Sequence, residues 1–166
     1  MRRWLFFAIS IFVFLADQAT KAWAVRALAF DGDHSIVPGV FYLTRTTNTG
    51  GAFGLFPSAT WLLAVTALIA VIGITYYAFR VRWPLPWLVG LGLALPLGGA
   101  AGNFLDRVRL GHVVDFIGVY IGSYSFPIFN VADSAICVGV ALLAISFLRS
   151  PSARPRAKEH SATAGE

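Results

Sequence analysis

The chain is short of charge. Only 13% of its 166 residues are Asp, Glu, Lys or Arg, while 57% are hydrophobic. Soluble domains carry about a quarter charged residues, so an ordinary soluble domain is excluded and the sequence reads as that of a membrane protein. Cys137 is the single cysteine, which excludes an intrachain disulfide and a cysteine-built zinc cage; it sits inside an apolar run and is expected to serve packing. His34, His112 and His160 are scattered, with no HExxH, which speaks against a zinc protease. Lysine is confined to Lys21 and Lys158, and no serine is spaced to form a Ser-Lys nucleophile with Lys21. No cofactor is expected. No internal repeat points to a duplicated transporter fold, and the length suits one compact domain.

Long apolar runs stand where charge is missing. The expected spans are about Trp4 to Trp23, Thr60 to Phe79, Trp83 to Leu105 and Val131 to Leu148, each near the 20 or so residues that cross a hydrocarbon core. Pro84 and Pro86 open the third, and Pro96 is expected to kink it. The first, preceded by Arg2 and Arg3, has the look of a cleaved signal peptide. Asp17, Lys21 and Arg26 crowd the segment before any cut, so it is read as an uncleaved helix. Cys137 follows Ile136 deep in the chain rather than a small residue near the start, so the chain is not itself read as a lipoprotein.

The formal charge of +5 would suggest nucleic acid in a soluble protein, but here basic residues cluster at the ends of spans, where they orient a chain in the bilayer. Arg2, Arg3, Arg80, Arg82, Arg149, Arg154, Arg156 and Lys158 fall on one side, taken as cytoplasmic together with both termini. All six aspartates, at 17, 31, 33, 106, 115 and 133, fall at outer ends or in outer segments. The fold class is membrane all-α with a small β element on the outer face. One four-span membrane domain is expected over 1–149, and the polar tail 150–166 is expected to be disordered. In the outer segment 35–57, β-branched and aromatic residues surround Asn48-Thr49-Gly50-Gly51, predicting a short hairpin or small sheet there. The second outer segment, 107–127, is rich in aromatics and glycine, which suits the interface.

Ionisable residues in spans cost about 2.5–3.5 kcal/mol each at a helix centre and are functional candidates by default. Asp17 and Lys21, four apart, share a helix face as an ion pair, whether as an interfacial anchor or as part of a site. Gly98 and Gly102 form a close-packing face; Asn103, Asp106 and Arg107 follow, with Asp106 and Arg107 either capping the span as a pair or contacting a substrate. Asn48 suits a turn, and Asp133 suits a helix N-cap. Asp115, in "VVDF", needs a partner if buried. If Asp115 and Asp133 meet at about 4 Å, their repulsion is roughly 4 kcal/mol at an effective dielectric of 20, or about three pK units. The pair then shares one proton and can activate water against a carbonyl. The alternative is a small proton-coupled transporter or assembly subunit. Such sites usually lie at the midplane between repeated halves, and these acids are off-centre.

Five blocks in order, "DQATK", "NTGGAFG", "GGAAGNFLDR", "VVDF" and "FNVAD", resemble the lipoprotein signal peptidase (signal peptidase II) family, aspartyl peptidases of bacterial inner membranes. Gly51 and Gly54 depart from the alanine and serine often found there. The resemblance implies cleavage of diacylglyceryl-modified prolipoproteins just before the lipidated cysteine, and inhibition by the cyclic peptide globomycin. It makes Asp115 and Asp133 the catalytic dyad, with Asp17, Lys21, Asn48, Asn103, Arg107 and Asn130 as the polar shell. It implies a β-cradle near the membrane surface and an active site on the outer face. A lipidated substrate would enter sideways with its acyl chains left among membrane lipids.

Overall fold

The computed structural model describes residues 1–50 and 59–149. Among them the four expected spans are helices: α1 (Arg3–Ala27), α2 (Thr60–Arg80), α3 (Trp87–Leu110) and α4 (Val131–Arg149), each long and apolar enough to cross a membrane. Their ends differ from the expectation. α1 continues past Trp23 to Ala27. α3 starts at Trp87, not Trp83, because a proline disfavours helical backbone in the residue before it, which keeps Trp83 and Leu85 out of the helix, and Pro86 is itself extended at ψ 142°. It runs on to Leu110, where Gly111 adopts φ +76° and returns its N–H to Arg107 O at 3.1 Å, a left-handed C-cap. Asp106 and Arg107 therefore lie inside α3 rather than beyond a span ending at Leu105.

α3 is the axis of the bundle and packs on each of the other helices. Half of its most apolar stretch is buried, against 11–28% in the others. Its small residues permit this. A methyl group on Gly98 would strike Ser10 O of α1, one on Gly102 the Asp17 carboxylate, and one on Gly99 would stand 2.6 Å from Ala132 O of α4. The Pro96 ring sits against Gly139 of α4. Large apolar side chains such as Trp4, Phe12, Trp61, Ile69, Phe147 and Leu148 point outward, as expected of helices whose solvent is lipid.

At one end of the bundle lie Arg2, Arg3, Arg80 and Arg149, and the Met1 amino group donates to Leu85 O. At the other end the helices lead into a four-stranded antiparallel sheet of β1 (His34–Val37), β2 (Phe41–Asn48), β3 (Val113–Ile121) and β4 (Tyr124–Phe129), paired in that order. The expected turn around Asn48-Gly51 runs into residues outside the described ones; among the described residues a hairpin turns at Val37-Pro38-Gly39-Val40. There Val40 N–H donates to Val37 O at 3.0 Å and Gly39 takes φ +72°, the type II pattern of proline then glycine. The second outer segment supplies the other two strands. Phe116 of β3 is buried with Ala24 of α1 and with Leu28, just past its end, which fastens the sheet to the helices. The part of the expected cradle from Gly51 to Pro57 and the tail 150–166 lie outside the described residues.

Candidate active site

β3 and the start of α4 converge at the sheet end of the bundle, and each brings a carboxylate. Asp115 lies in β3 opposite Thr46 of β2 and is 1% exposed. Its Oδ2 accepts from Asn48 Nδ2 at 2.9 Å and its Oδ1 from Asn130 Nδ2 at 2.7 Å. Burial pushes its carboxyl up to about 7, and the Asp133 charge adds to this; the two amide donors and Lys21 pull the other way. Asp133, in the first turn of α4, accepts from Asn103 Nδ2 at 2.8 Å and from Asn130 N at 3.2 Å.

Asp133 is not the N-cap of α4. Asn130 is: its Oδ1 accepts from Asp133 N at 2.9 Å while Asp133 returns the bond to Asn130 N. This is the reciprocal arrangement of a capping box, with Asn and Asp in the two places. The next free amide, Ala132 N, donates to Asp17 Oδ1 at 3.0 Å, so a carboxylate from α1 closes the start of α4. Helix starts need such acceptors for their unpaired N–H groups.

Behind the two acids stands Lys21, 3% exposed, which rules out an interfacial anchor. Its Nζ pairs with Asp17 at 2.9 Å and with Asp106 at 2.8 Å, and donates to Asn103 Oδ1 at 2.8 Å. Of the two readings of Asp106 and Arg107, the capping pair is not formed: Asp106 turns to Lys21, and Arg107 reaches Gly50 O with Nη2 at 3.1 Å and Asn103 O with Nη1 at 3.4 Å. A buried ammonium gains more from two carboxylates than from one, and Arg107, one position on around the helix, faces a different side. Every candidate read from the sequence, Asp17, Lys21, Asn48, Asn103, Asp106, Arg107, Asp115, Asn130 and Asp133, joins this one network.

Gln18 was missed. It donates to Asp106 Oδ1 at 3.0 Å and Asp17 Oδ2 at 3.2 Å, tying together the acids on either side of Lys21. A glutamine on a helix carries no signal of its own in a single sequence. The apolar half of the site was also missed. A cavity of about 420 Å³ lies against Asp115, Asp133, Arg107 and Asn48, and its far wall is Phe126–Phe129 of β4 with Ile136 and Cys137 of α4. Cys137 is exposed rather than packed, because α4 buries only the narrow face of Ala132, Ala135 and Gly139.

Comparison with known proteins follows the same outline. The family model described as signal peptidase (SPase) II matches residues 9–149. A lipoprotein signal peptidase of Geobacillus kaustophilus is 46% identical over 138 residues, covering 83% of this chain and 89% of its own. One of Bacillus velezensis is 43% identical over 144 residues, 87% and 94% of the two chains. A bacterial membrane enzyme solved by the in meso method at 2.3 Å resolution superposes with a TM-score of 0.82 at 30% identity over 93% of each chain.

Proposed function

The chain belongs to the signal peptidase II family, a multi-pass membrane protease, and on that premise we propose an aspartyl endopeptidase of the bacterial inner membrane. Its substrates are diacylglyceryl-modified prolipoproteins, cut just before the lipidated cysteine. The observation that carries the reading is the pairing of Asp115 and Asp133 on one apolar-walled cavity, with the Asp115 carboxyl raised to about 7 by burial and by its neighbour. Near neutral pH such a pair holds one proton.

The chemistry follows from that single proton. The ionised carboxylate takes a proton from water as its oxygen attacks the scissile carbonyl, and the protonated carboxyl gives its proton to the carbonyl oxygen. The resulting gem-diol then collapses: one hydroxyl returns a proton to the pair, the other acid protonates the departing nitrogen, and the C–N bond breaks. The signal peptide leaves as an acid, the cysteine as a free amine, and the pair again carries one proton. Asn48, Asn103 and Asn130 aim the carboxylates, while Asp17, Asp106 and Lys21 balance charge behind them. Arg107 stands on the cavity wall, where it can donate to the substrate backbone. Globomycin is expected to fill the same cavity.

Basic residues at the opposite end of the bundle support an active site near the outer face, by the positive-inside rule. The transporter reading is disfavoured because the acids sit at the sheet end and not at mid-bundle. The test is incubation of the purified protein with a diacylglyceryl-modified prolipoprotein in detergent. Mass spectrometry should find the product beginning at the lipidated cysteine, and a different cut site, or none, would overturn the proposal.

A further inference from the structure

Among the described residues α2 is the one helix that supplies no side chain to the acid network, yet one of its side chains reaches toward it. Thr60 opens α2 and is 8% exposed. A threonine hydroxyl at a helix start commonly serves its own helix. Here the preceding Ala59 gives no side-chain cap, and the Thr60 hydroxyl instead donates to Thr49 O at 2.8 Å. Thr49 lies in the turn that presents Asn48 to Asp115.

That turn decides which way the Asn48 amide faces. Gly50 N–H donates to Asn48 Oδ1 at 2.9 Å, so the oxygen is occupied and Nδ2 is left to donate to Asp115 Oδ2 at 2.9 Å. Were the amide reversed, its oxygen would face the carboxylate and repel it. The turn is held at two carbonyls: Gly50 O by Arg107 Nη2 at 3.1 Å and Thr49 O by Thr60. The Thr60 anchor stands on a helix packed along α3.

We infer that Thr60 is a positioning residue: by holding Thr49 O it fixes the Asn48–Gly50 turn and keeps the Asn48 amide donating to Asp115. This rests on the aspartyl reading given above for its effect on catalysis, though not for its effect on Asp115 itself. A donor to a carboxylate favours the charged form, so loosening the turn makes Asp115 hold its proton to higher pH. The charged groups around Asp115 are Lys21 from α1, Asp106 and Arg107 from α3 and Asp133 from α4; β2 presents the neutral Thr46 and Asn48. None of these is altered by a change at Thr60.

The experiment compares Thr60→Val, which keeps the shape without the hydroxyl, with Thr60→Ser, which keeps the hydroxyl. The basic limb of the kcat/KM profile should move up by about one pH unit in Thr60→Val, the scale of one lost bond to a charged group, and return in Thr60→Ser. In parallel, the infrared band of the protonated Asp115 carboxyl, identified by its loss in Asp115→Asn, is titrated without substrate. A raised midpoint in Thr60→Val supports the inference even if the protein cleaves no prolipoprotein, so the two readings fail separately. An unmoved midpoint and limb with only a lower melting temperature would assign Thr60 a structural role and overturn it. If Thr60→Val does not fold, Thr60→Ala carries the same comparison.

Discussion

Asn130 uses one amide for three purposes: its oxygen caps α4, its nitrogen holds Asp115 at 2.7 Å, and the same nitrogen approaches Asn103 Oδ1 at 3.3 Å. Both acids are thereby contacted by one residue lying between them in sequence, beside Asn48 on Asp115 and Asn103 on Asp133. Asp133→Asn should keep α4 intact, since an amide oxygen can still accept the Asn130 N–H, yet it can no longer take a proton from water. Asp115→Asn likewise preserves shape. Each change should lower turnover by about 10²–10⁴-fold or more, with the double variant little worse, as for residues acting as a unit. Stability should respond differently. The Asp115 carboxyl is raised from 3.8 to about 7, so the folded state holds the extra proton across that window and its advantage is lost as pH rises through about 7. Melting curves should show wild type losing stability, on the order of a few kcal/mol, between about pH 4 and 8, with that component absent in Asp115→Asn. A pH slope equal in both proteins would place the charge elsewhere.

The helices were legible because a bilayer demands about 20 apolar residues and little else produces such runs; their ends were not, because ends are set by single residues such as Pro86 and Gly111. The sheet was harder. Val113 to Phe116 are all buried, so β3 lacks the alternation that marks a strand with one wet face. The Asn48-Gly50 signal was real but belonged to an Asx turn ending β2, with Gly50 N–H on Asn48 Oδ1, while Pro38-Gly39 made the hairpin. Candidate site residues were readable where charge stood in an apolar run. Gln18 and Thr60 were not, because neutral side chains on helices cost too little to be conspicuous. At this scale the telling contact is α3 against α4. A methyl on Gly99 would lie 2.6 Å from Ala132 O, next to the residues that hold Asp133. Gly99→Ala should force the helices apart, cost about 1–3 kcal/mol as overpacking does, and loosen the Asn103–Asp133 bond. Thermal melting and cleavage rate measured together check this; a variant with unchanged melting but normal turnover would mean the interface yields freely.

For the whole molecule, the decisive relation is between the size of the cavity and the size of the substrate. About 420 Å³ falls in the lower part of the range for small-ligand pockets, about 300–1,000 Å³, enough for a few residues of extended peptide but not for two long acyl chains as well. On the proposed reading the chains therefore remain outside, against the lipid-facing surface of the bundle beside the cavity. Cys137, both exposed and on the cavity wall, marks where the cavity opens to the outer surface of α4. Chains held in this way contribute to binding before and during reaction alike, which changes KM rather than kcat. Precursors carrying diacylglyceryl groups of decreasing length should show rising KM at nearly constant kcat. The unlipidated precursor should fall about 10²-fold or more in kcat/KM, a loss that some four buried methylenes at about 0.8 kcal/mol each already account for. If kcat fell with chain length while KM held, the chains would be acting on the carboxylate pair itself, and the cavity would have to open far enough to admit them.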